Sequence, residues 1–242
     1  MLELKHISWD LPDGGEILRH IDLTVPDGKL IVVTGPNGGG KTTLAKIIAG
    51  LETPSGGSIW LDGQDITGLD VTQRARLGIA YAFQQPVRFK GITVRMLLEL
   101  AAGGRLKENE ACAFLAKVGL CAREYIDREV NASLSGGEIK RIEIATVLAR
   151  SARLSIFDEP EAGIDLWSFS SLIDAFGELR GKLSGSLLII SHQERILNIA
   201  DEIIVIADGG VRVSGPRGDV LPKLLSGESF AGCPVMEGVG CK

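Results

Sequence analysis

Nine residues constrain this chain more than any others: Gly35-Pro36-Asn37-Gly38-Gly39-Gly40-Lys41-Thr42-Thr43. They fit Gly, four residues, then Gly-Lys-Ser/Thr, the pattern of a phosphate-binding loop. The flanks suit the mechanism. Leu30-Ile31-Val32-Val33 is a short apolar run of the kind that forms a buried strand, and Thr43 to Ala49 reads as a helix closed by Gly50. A strand feeding a glycine loop and then a helix start gathers free backbone N–H groups at one point. The helix dipole adds positive charge there. Lys41 is spaced to reach the β- and γ-phosphates of a nucleotide, and the Thr42 hydroxyl to hold Mg²⁺. A plain glycine turn would explain the glycines but not Lys-Thr at this spacing.

The rest of the chain alternates strands and helices. Gly78 to Phe83 reads as a strand ending at Gln84, Leu154 to Phe157 as one delivering Asp158-Glu159-Pro160, and Ser186 to Ile190 as one ending at Ser191-His192. Such alternation favours an α/β fold with a mostly parallel sheet and helices on both faces. Ligand groups then collect at the carboxyl ends of the strands. Gly35, Gln84, Asp158 and His192 each follow a strand, so they are expected to converge. Residues 2–9, 17–25 and 58–66 suggest a small antiparallel sheet, the last stretch turning at Asp62-Gly63.

From Thr93 to about Arg128 the pattern becomes helical. Met96, Leu97, Leu100 and Ala101 fit one helix face, and Ala111, Phe114, Leu115 and Val118 another. One domain over residues 1–225 is expected, with a helical subdomain at about 86–150. A glycine- and cysteine-bearing tail, 226–242, follows and reads as poorly ordered.

Several side chains carry chemistry. An acid at the end of an apolar strand is costly unless it is paired or binds a metal, so Asp158 suits a second Mg²⁺ anchor. Glu159 is then placed to polarise a water that attacks the γ-phosphate. The Gln84 amide can ligate Mg²⁺ or orient that water, and His192 can contact the γ-phosphate. Taken singly, each has an ordinary structural alternative. The carboxylates would serve as helix caps, and the others as a solvated Gln and a structural His. Ser135-Gly136-Gly137-Glu138 is a second cluster of N–H groups at a helix start. A helix cap accounts for Ser135 but leaves the two glycines unexplained. The cluster makes sense if it closes over a nucleotide held by another copy of the chain.

Together these pieces resemble the ABC ATPase family over about residues 1–225, a P-loop NTPase class with a RecA-like core. Gly35 to Thr43 resembles its Walker A motif, Gln84 its Q-loop, and Leu134 to Glu138 its signature, with Glu in place of the usual Gln. Leu154 to Glu159 resembles Walker B, Glu161 to Asp165 the D-loop, and His192 the H-switch. The resemblance implies ATP and Mg²⁺ as ligands, ATP hydrolysis, and an ATP-dependent head-to-tail homodimer. In it, each nucleotide lies between one Walker A and the other chain's signature. Within the family, Tyr81 to Val87, Ser135 to Glu143 and Ser191 to Leu197 look like the SufC-type iron–sulfur cluster assembly branch. That implies a soluble partner of SufB/SufD type. The family's usual aromatic before Walker A, which stacks on adenine, is missing: its place falls near Leu11 or Pro12, with Trp9 the nearest ring. Pro160 and Thr93-Val94-Arg95 are instead transporter-like, and the alternative partner is a transmembrane permease. The discriminating surface would be the groove near Pro86 to Met96. A chromosome-type ATPase would need a long coiled coil between Gln84 and Ser135, where only about fifty residues lie.

Composition narrows the setting. The formal net charge of −5 argues against a broad nucleic-acid face. No apolar run approaches the ~20 residues that span a bilayer, so direct membrane insertion is not expected. The N-terminus lacks a basic-then-apolar leader, which points to a cytoplasmic protein. The cysteines at 112, 121, 233 and 241 match no zinc spacing, and no residue reads as an iron ligand.

Overall fold

A computed structural model describes residues 1–179 and 185–226. The tail with Cys233 and Cys241, expected to be poorly ordered, lies outside the described residues.

The strands are β1 (Leu2–Asp10), β2 (Glu16–Val25), β3 (Leu30–Thr34), β4 (Gly56–Leu61), β5 (Gln64–Asp65), β6 (Ile79–Ala82), β7 (Leu154–Asp158), β8 (Ser186–Ile190), β9 (Glu202–Ala207) and β10 (Gly210–Pro216). The helices are α1 (Lys41–Ala49), α2 (Val71–Arg76), α3 (Val94–Ala102), α4 (Glu108–Lys117), α5 (Ala122–Tyr125), α6 (Gly136–Ala149), α7 (Leu166–Leu179), α8 (Glu194–Leu197) and α9 (Arg217–Leu225). One sheet has the order β10-β9-β3-β8-β7-β6 and is parallel from β9 to β6, with β10 antiparallel at its edge. The other is antiparallel, in the order β2-β1-β4-β5.

The parallel strands read as unbroken apolar runs because both faces of their sheet are covered. Their side chains divide by the period of two. Leu30 and Val32 on β3 join a core with α3, α4, α6 and α7. Ile31 and Val33 join a second core with α1 and the antiparallel sheet. The sheet is thus clamped between two hydrophobic layers, which holds the carboxyl ends of its central strands in register.

Helix α3 departs from expectation. Val94 and Leu98 are buried, Leu97 and Ala101 only flank the core, and Met96 and Leu100 are 51% and 76% exposed. The face of Met96, Leu97, Leu100 and Ala101 is apolar but turns half outward. Apolar periodicity marks a face that avoids water and does not say which neighbour covers it. On α4 the expected face is the buried one: Ala111, Leu115 and Val118 are in the core and Phe114 packs against it. Helices α2 and α9 were not foreseen. The first is six residues long, too short for a periodic signal, yet Asp70 and Gln73 form a capping box that marks its start. The second carries Pro222, which reads as a breaker but lies inside the helix. Among the described residues, no helix is long and apolar enough to cross a membrane.

Candidate nucleotide site

Strands β3, β8, β7 and β6 are neighbours in that order, so the loops leaving their carboxyl ends meet. The loop after β3 is Gly35 to Gly40, and α1 begins at Lys41. Gly35 needs its glycine: φ is 131°, and a Cβ there would lie 2.0 Å from the Ile206 carbonyl oxygen. Gly39 N–H donates to Pro36 O at 3.3 Å, closing the turn. Lys41 Nζ donates to Gly35 O and Pro36 O, both at 2.8 Å. Burial lowers the Lys41 pKa, while Glu159 and Asp158 pull it back up. A cleft of about 450 Å³ is lined by Asn37, Gly38, Gly40, Lys41, Thr42, Thr43, Gln84 and Glu159, with Trp9, Leu11 and Ile17 forming another wall.

Asp158 ends β7 almost fully buried. Thr42 Oγ1 donates to its Oδ1 at 3.1 Å and the Tyr81 hydroxyl to its Oδ2 at 2.9 Å. Burial raises the Asp158 pKa against those two bonds, and it raises the Tyr81 hydroxyl as well. A buried carboxylate beside a threonine hydroxyl is an all-oxygen donor pair, the chemistry that suits Mg²⁺. Glu159 follows with a left-handed φ of 45°, its N–H donating to Ile190 O at 3.0 Å. Its carboxylate accepts from Gln84 Nε2 at 2.6 Å, and His192 Nε2 lies 3.9 Å away. Burial and then Lys41 lower the His192 pKa below its ordinary value, with Glu159 opposing, which favours the neutral imidazole.

The four strand-end groups therefore meet, but Ser135 to Glu138 do not line this cleft. They open α6. Ser135 Oγ accepts from Glu138 N–H at 3.3 Å, and Glu138 Oε2 accepts from Ser135 N–H at 2.7 Å. The Tyr125 hydroxyl donates to the same carboxylate and holds its pKa down at about 2. Glu138 is thus an ionised cap, which gives this position a reason to be Glu. Gly137 packs on the D-loop, where a Cβ would lie 2.6 Å from Gly163 O. The D-loop is tied in turn to the segment before His192, because Ser191 Oγ donates to Glu161 Oε1 at 2.6 Å.

Sequence reasoning placed Lys140, Glu143 and Tyr81 in motif segments without giving them roles. Lys140 is fully buried, and its Nζ donates to the carbonyls of Phe83, Gln84 and Asp158. It also pairs with Glu143 at 3.6 Å, whose Oε1 accepts from Phe83 N–H at 2.9 Å. The signature helix is thereby fastened to the carboxyl ends of the adjacent strands β6 and β7. The readable signal was a Lys–Glu pair at i,i+3 in a helix that is otherwise largely apolar. Arg74, 1% exposed, was missed outright: its guanidinium donates to the carbonyls of Ile47 and Ile48 at the end of α1 and of Leu69 and Thr67. It satisfies orphan carbonyls at the helix terminus and so steadies the element that starts with Lys41 and Thr42.

Comparison with known proteins agrees with this geometry. The family model described as ABC transporter matches residues 18–162. An uncharacterized ABC transporter ATP-binding protein of Methanocaldococcus jannaschii is 39% identical over 213 residues, 85% of each chain. A probable branched-chain amino acid transport ATP-binding protein, LivG, of Archaeoglobus fulgidus is 34% identical, covering 88% of this chain and 89% of its own. Among solved structures, a dimeric ATP-binding cassette in a post-hydrolysis state with ADP and Pi superposes with a TM-score of 0.80. It is 24% identical and covers 90% of this chain and 99% of its own. The chain belongs to the ABC transporter family and is an ATPase cassette of that family.

Proposed function

We propose that this chain is the ATP-hydrolysing, energy-coupling subunit of a membrane transporter, working as an ATP-closed homodimer. Each nucleotide is held by the Walker A loop of one copy, Gly35 to Thr43, and by Ser135 to Glu138 of the other. Lys41 binds the β- and γ-phosphates. Thr42, Asp158 and Gln84 would hold Mg²⁺, which when bound neutralises charge on the phosphate oxygens. Glu159 polarises the attacking water, Gln84 sets the carboxylate's position, and His192, as a neutral imidazole, contacts the γ-phosphate. Leu166 and Trp167, 69% and 85% exposed directly after the D-loop, extend an apolar face that a second copy would cover.

One observation carries the coupling role. A groove of about 260 Å³ is lined by Tyr81, Phe83, Val87, Phe89 and Leu97 among others, and Phe83 directly precedes Gln84. Phe83 is held through both its N–H and its C=O by Glu143 and Lys140, and Gln84 holds Glu159. A helix seated in the groove would shift the same backbone that positions the general base. The relatives' names as transporter ATP-binding proteins favour a permease as that helix's source. A soluble iron–sulfur scaffold of SufB/SufD type is the second reading, favoured by Tyr81 to Val87, Ser135 to Glu143 and Ser191 to Leu197. A pull-down of tagged Glu159→Gln protein with ATP from its host, split into membrane and soluble fractions, separates the two. An integral membrane partner supports the transporter reading. A soluble partner that binds iron and sulfide overturns it in favour of the scaffold.

A further inference from the structure

The Asp158 carboxylate is shared between two hydroxyls, and one of them comes from outside the nucleotide loop. Thr42 Oγ1 reaches Oδ1 from the start of α1, while the Tyr81 hydroxyl reaches Oδ2 from β6. Among the described residues these two are its hydrogen-bond donors. Lys140 Nζ goes to the main-chain oxygen of Asp158 instead, at 3.4 Å. The terminal torsion of an aspartate is broad, so a carboxylate held at one oxygen swings about that contact. A second donor on Oδ2 stops the swing and keeps Oδ1 turned towards Thr42.

Tyr81 can hold that oxygen because it is itself held. Strand β6 runs parallel to β7, with Tyr81 opposite Ile156 and Ala82 opposite Phe157, so the hydroxyl is carried beside the strand that ends in Asp158. The Tyr81 ring stands edge-on to Phe83, with 4.9 Å between centroids. Phe83 is fixed in turn through its N–H by Glu143 and through its C=O by Lys140. Burial raises the Tyr81 pKa, so the hydroxyl stays protonated and donates. A buried tyrosine hydroxyl needs a partner in any protein, and a main-chain carbonyl would satisfy it. This one goes to the carboxylate oxygen that Thr42 leaves free.

The geometry points to Tyr81 as a positioning residue of the metal site, whose hydroxyl fixes the Asp158 carboxylate in the orientation that receives Mg²⁺ together with Thr42. Tyr81 does not line the nucleotide cleft and acts through Asp158 alone. Hydrogen-bond partners of ligating carboxylates are worth ~10–100-fold in metal affinity. The inference rests on the reading of Thr42 and Asp158 as Mg²⁺ ligands and is the same whichever partner the cassette drives.

Tyr81→Phe removes the hydroxyl and keeps the ring. The test titrates Mn²⁺ into Glu159→Gln protein carrying one ATP per chain, with electron paramagnetic resonance reading the free ion. Adding Tyr81→Phe should raise the Mn²⁺ dissociation constant about tenfold or more. Binding of ATP in EDTA should stay as it was. In otherwise unaltered protein, Tyr81→Phe should raise the half-saturating free Mg²⁺ for turnover by a similar factor, and turnover should recover as Mg²⁺ is increased. A Mn²⁺ dissociation constant changed by less than about threefold would overturn the inference. So would a loss of turnover that added Mg²⁺ does not relieve. Asp158→Asn in the same titration tells the two readings apart: should that variant bind Mn²⁺ as tightly as its parent, the metal-site reading itself fails and the role of Tyr81 with it.

Discussion

Asp158 carries a conflict that single substitutions expose. Its burial raises its pKa, so the charged form costs the fold stability. That cost is absent below the ordinary carboxylate pKa and grows as pH rises through the raised folded value. Asp158→Asn should therefore raise the Tm in EDTA at pH 7 by a few degrees while abolishing Mg²⁺-dependent turnover; a lowered Tm in calorimetry would contradict this. Glu159→Gln should keep ATP binding and slow hydrolysis by ~10²–10⁴-fold, the usual worth of a general base. Lys41→Ala should abolish both binding and turnover, and tight nucleotide binding by that variant would contradict the phosphate-loop assignment. His192 should titrate below its ordinary 6.5 by NMR. In Glu159→Gln protein it should titrate lower still, because the carboxylate that favours the imidazolium is gone; an upward shift would place its control elsewhere.

Helix α6 shows what can and cannot be read from a string of residues. Its buried stripe of Ile139, Ile142, Ala145 and Leu148 follows the 3.6-residue period by which a sequence reports burial directly. Lys140 on the same helix was not legible. Its three carbonyl partners come from residues 56, 57 and 18 positions away, contacts that only the folded sheet creates. The same holds for Arg74, whose place depends on the end of α1. The strand ends at Gly35, Gln84, Asp158 and His192 were legible because a parallel sheet forces strand carboxyl ends together. The outward turn of Met96 and Leu100 was not, because an apolar face facing a groove and one facing a core have the same pattern. Removing one member of a buried ion pair strands the other's charge. Lys140→Met should thus cost about 3 kcal/mol or more in urea unfolding, and a further Glu143→Leu should recover much of it. Full stability in Lys140→Met would mean that the pair does not fasten α6 to the Gln84 loop.

On the proposed reading the whole molecule is half of a machine. Its cleft gathers Lys41, Thr42, Gln84 and Glu159, while the Ser135 to Glu138 helix start opens elsewhere on the same chain. The Ser135–Glu138 box satisfies two of the four orphan N–H groups at that helix start, and the proposal assigns those of Gly136 and Gly137 to an anion. The anion the account supplies is the nucleotide of a second copy. The most direct test is sedimentation velocity of Glu159→Gln protein with and without Mg²⁺ and ATP, alongside the same protein carrying Gly136→Asp. Glu159→Gln should sediment as a monomer without nucleotide and as a dimer with it, and the added negative charge at Gly136 should prevent the dimer. A Glu159→Gln protein that binds ATP yet stays monomeric at every concentration, or a Gly136→Asp protein that dimerises equally well, would contradict the shared site.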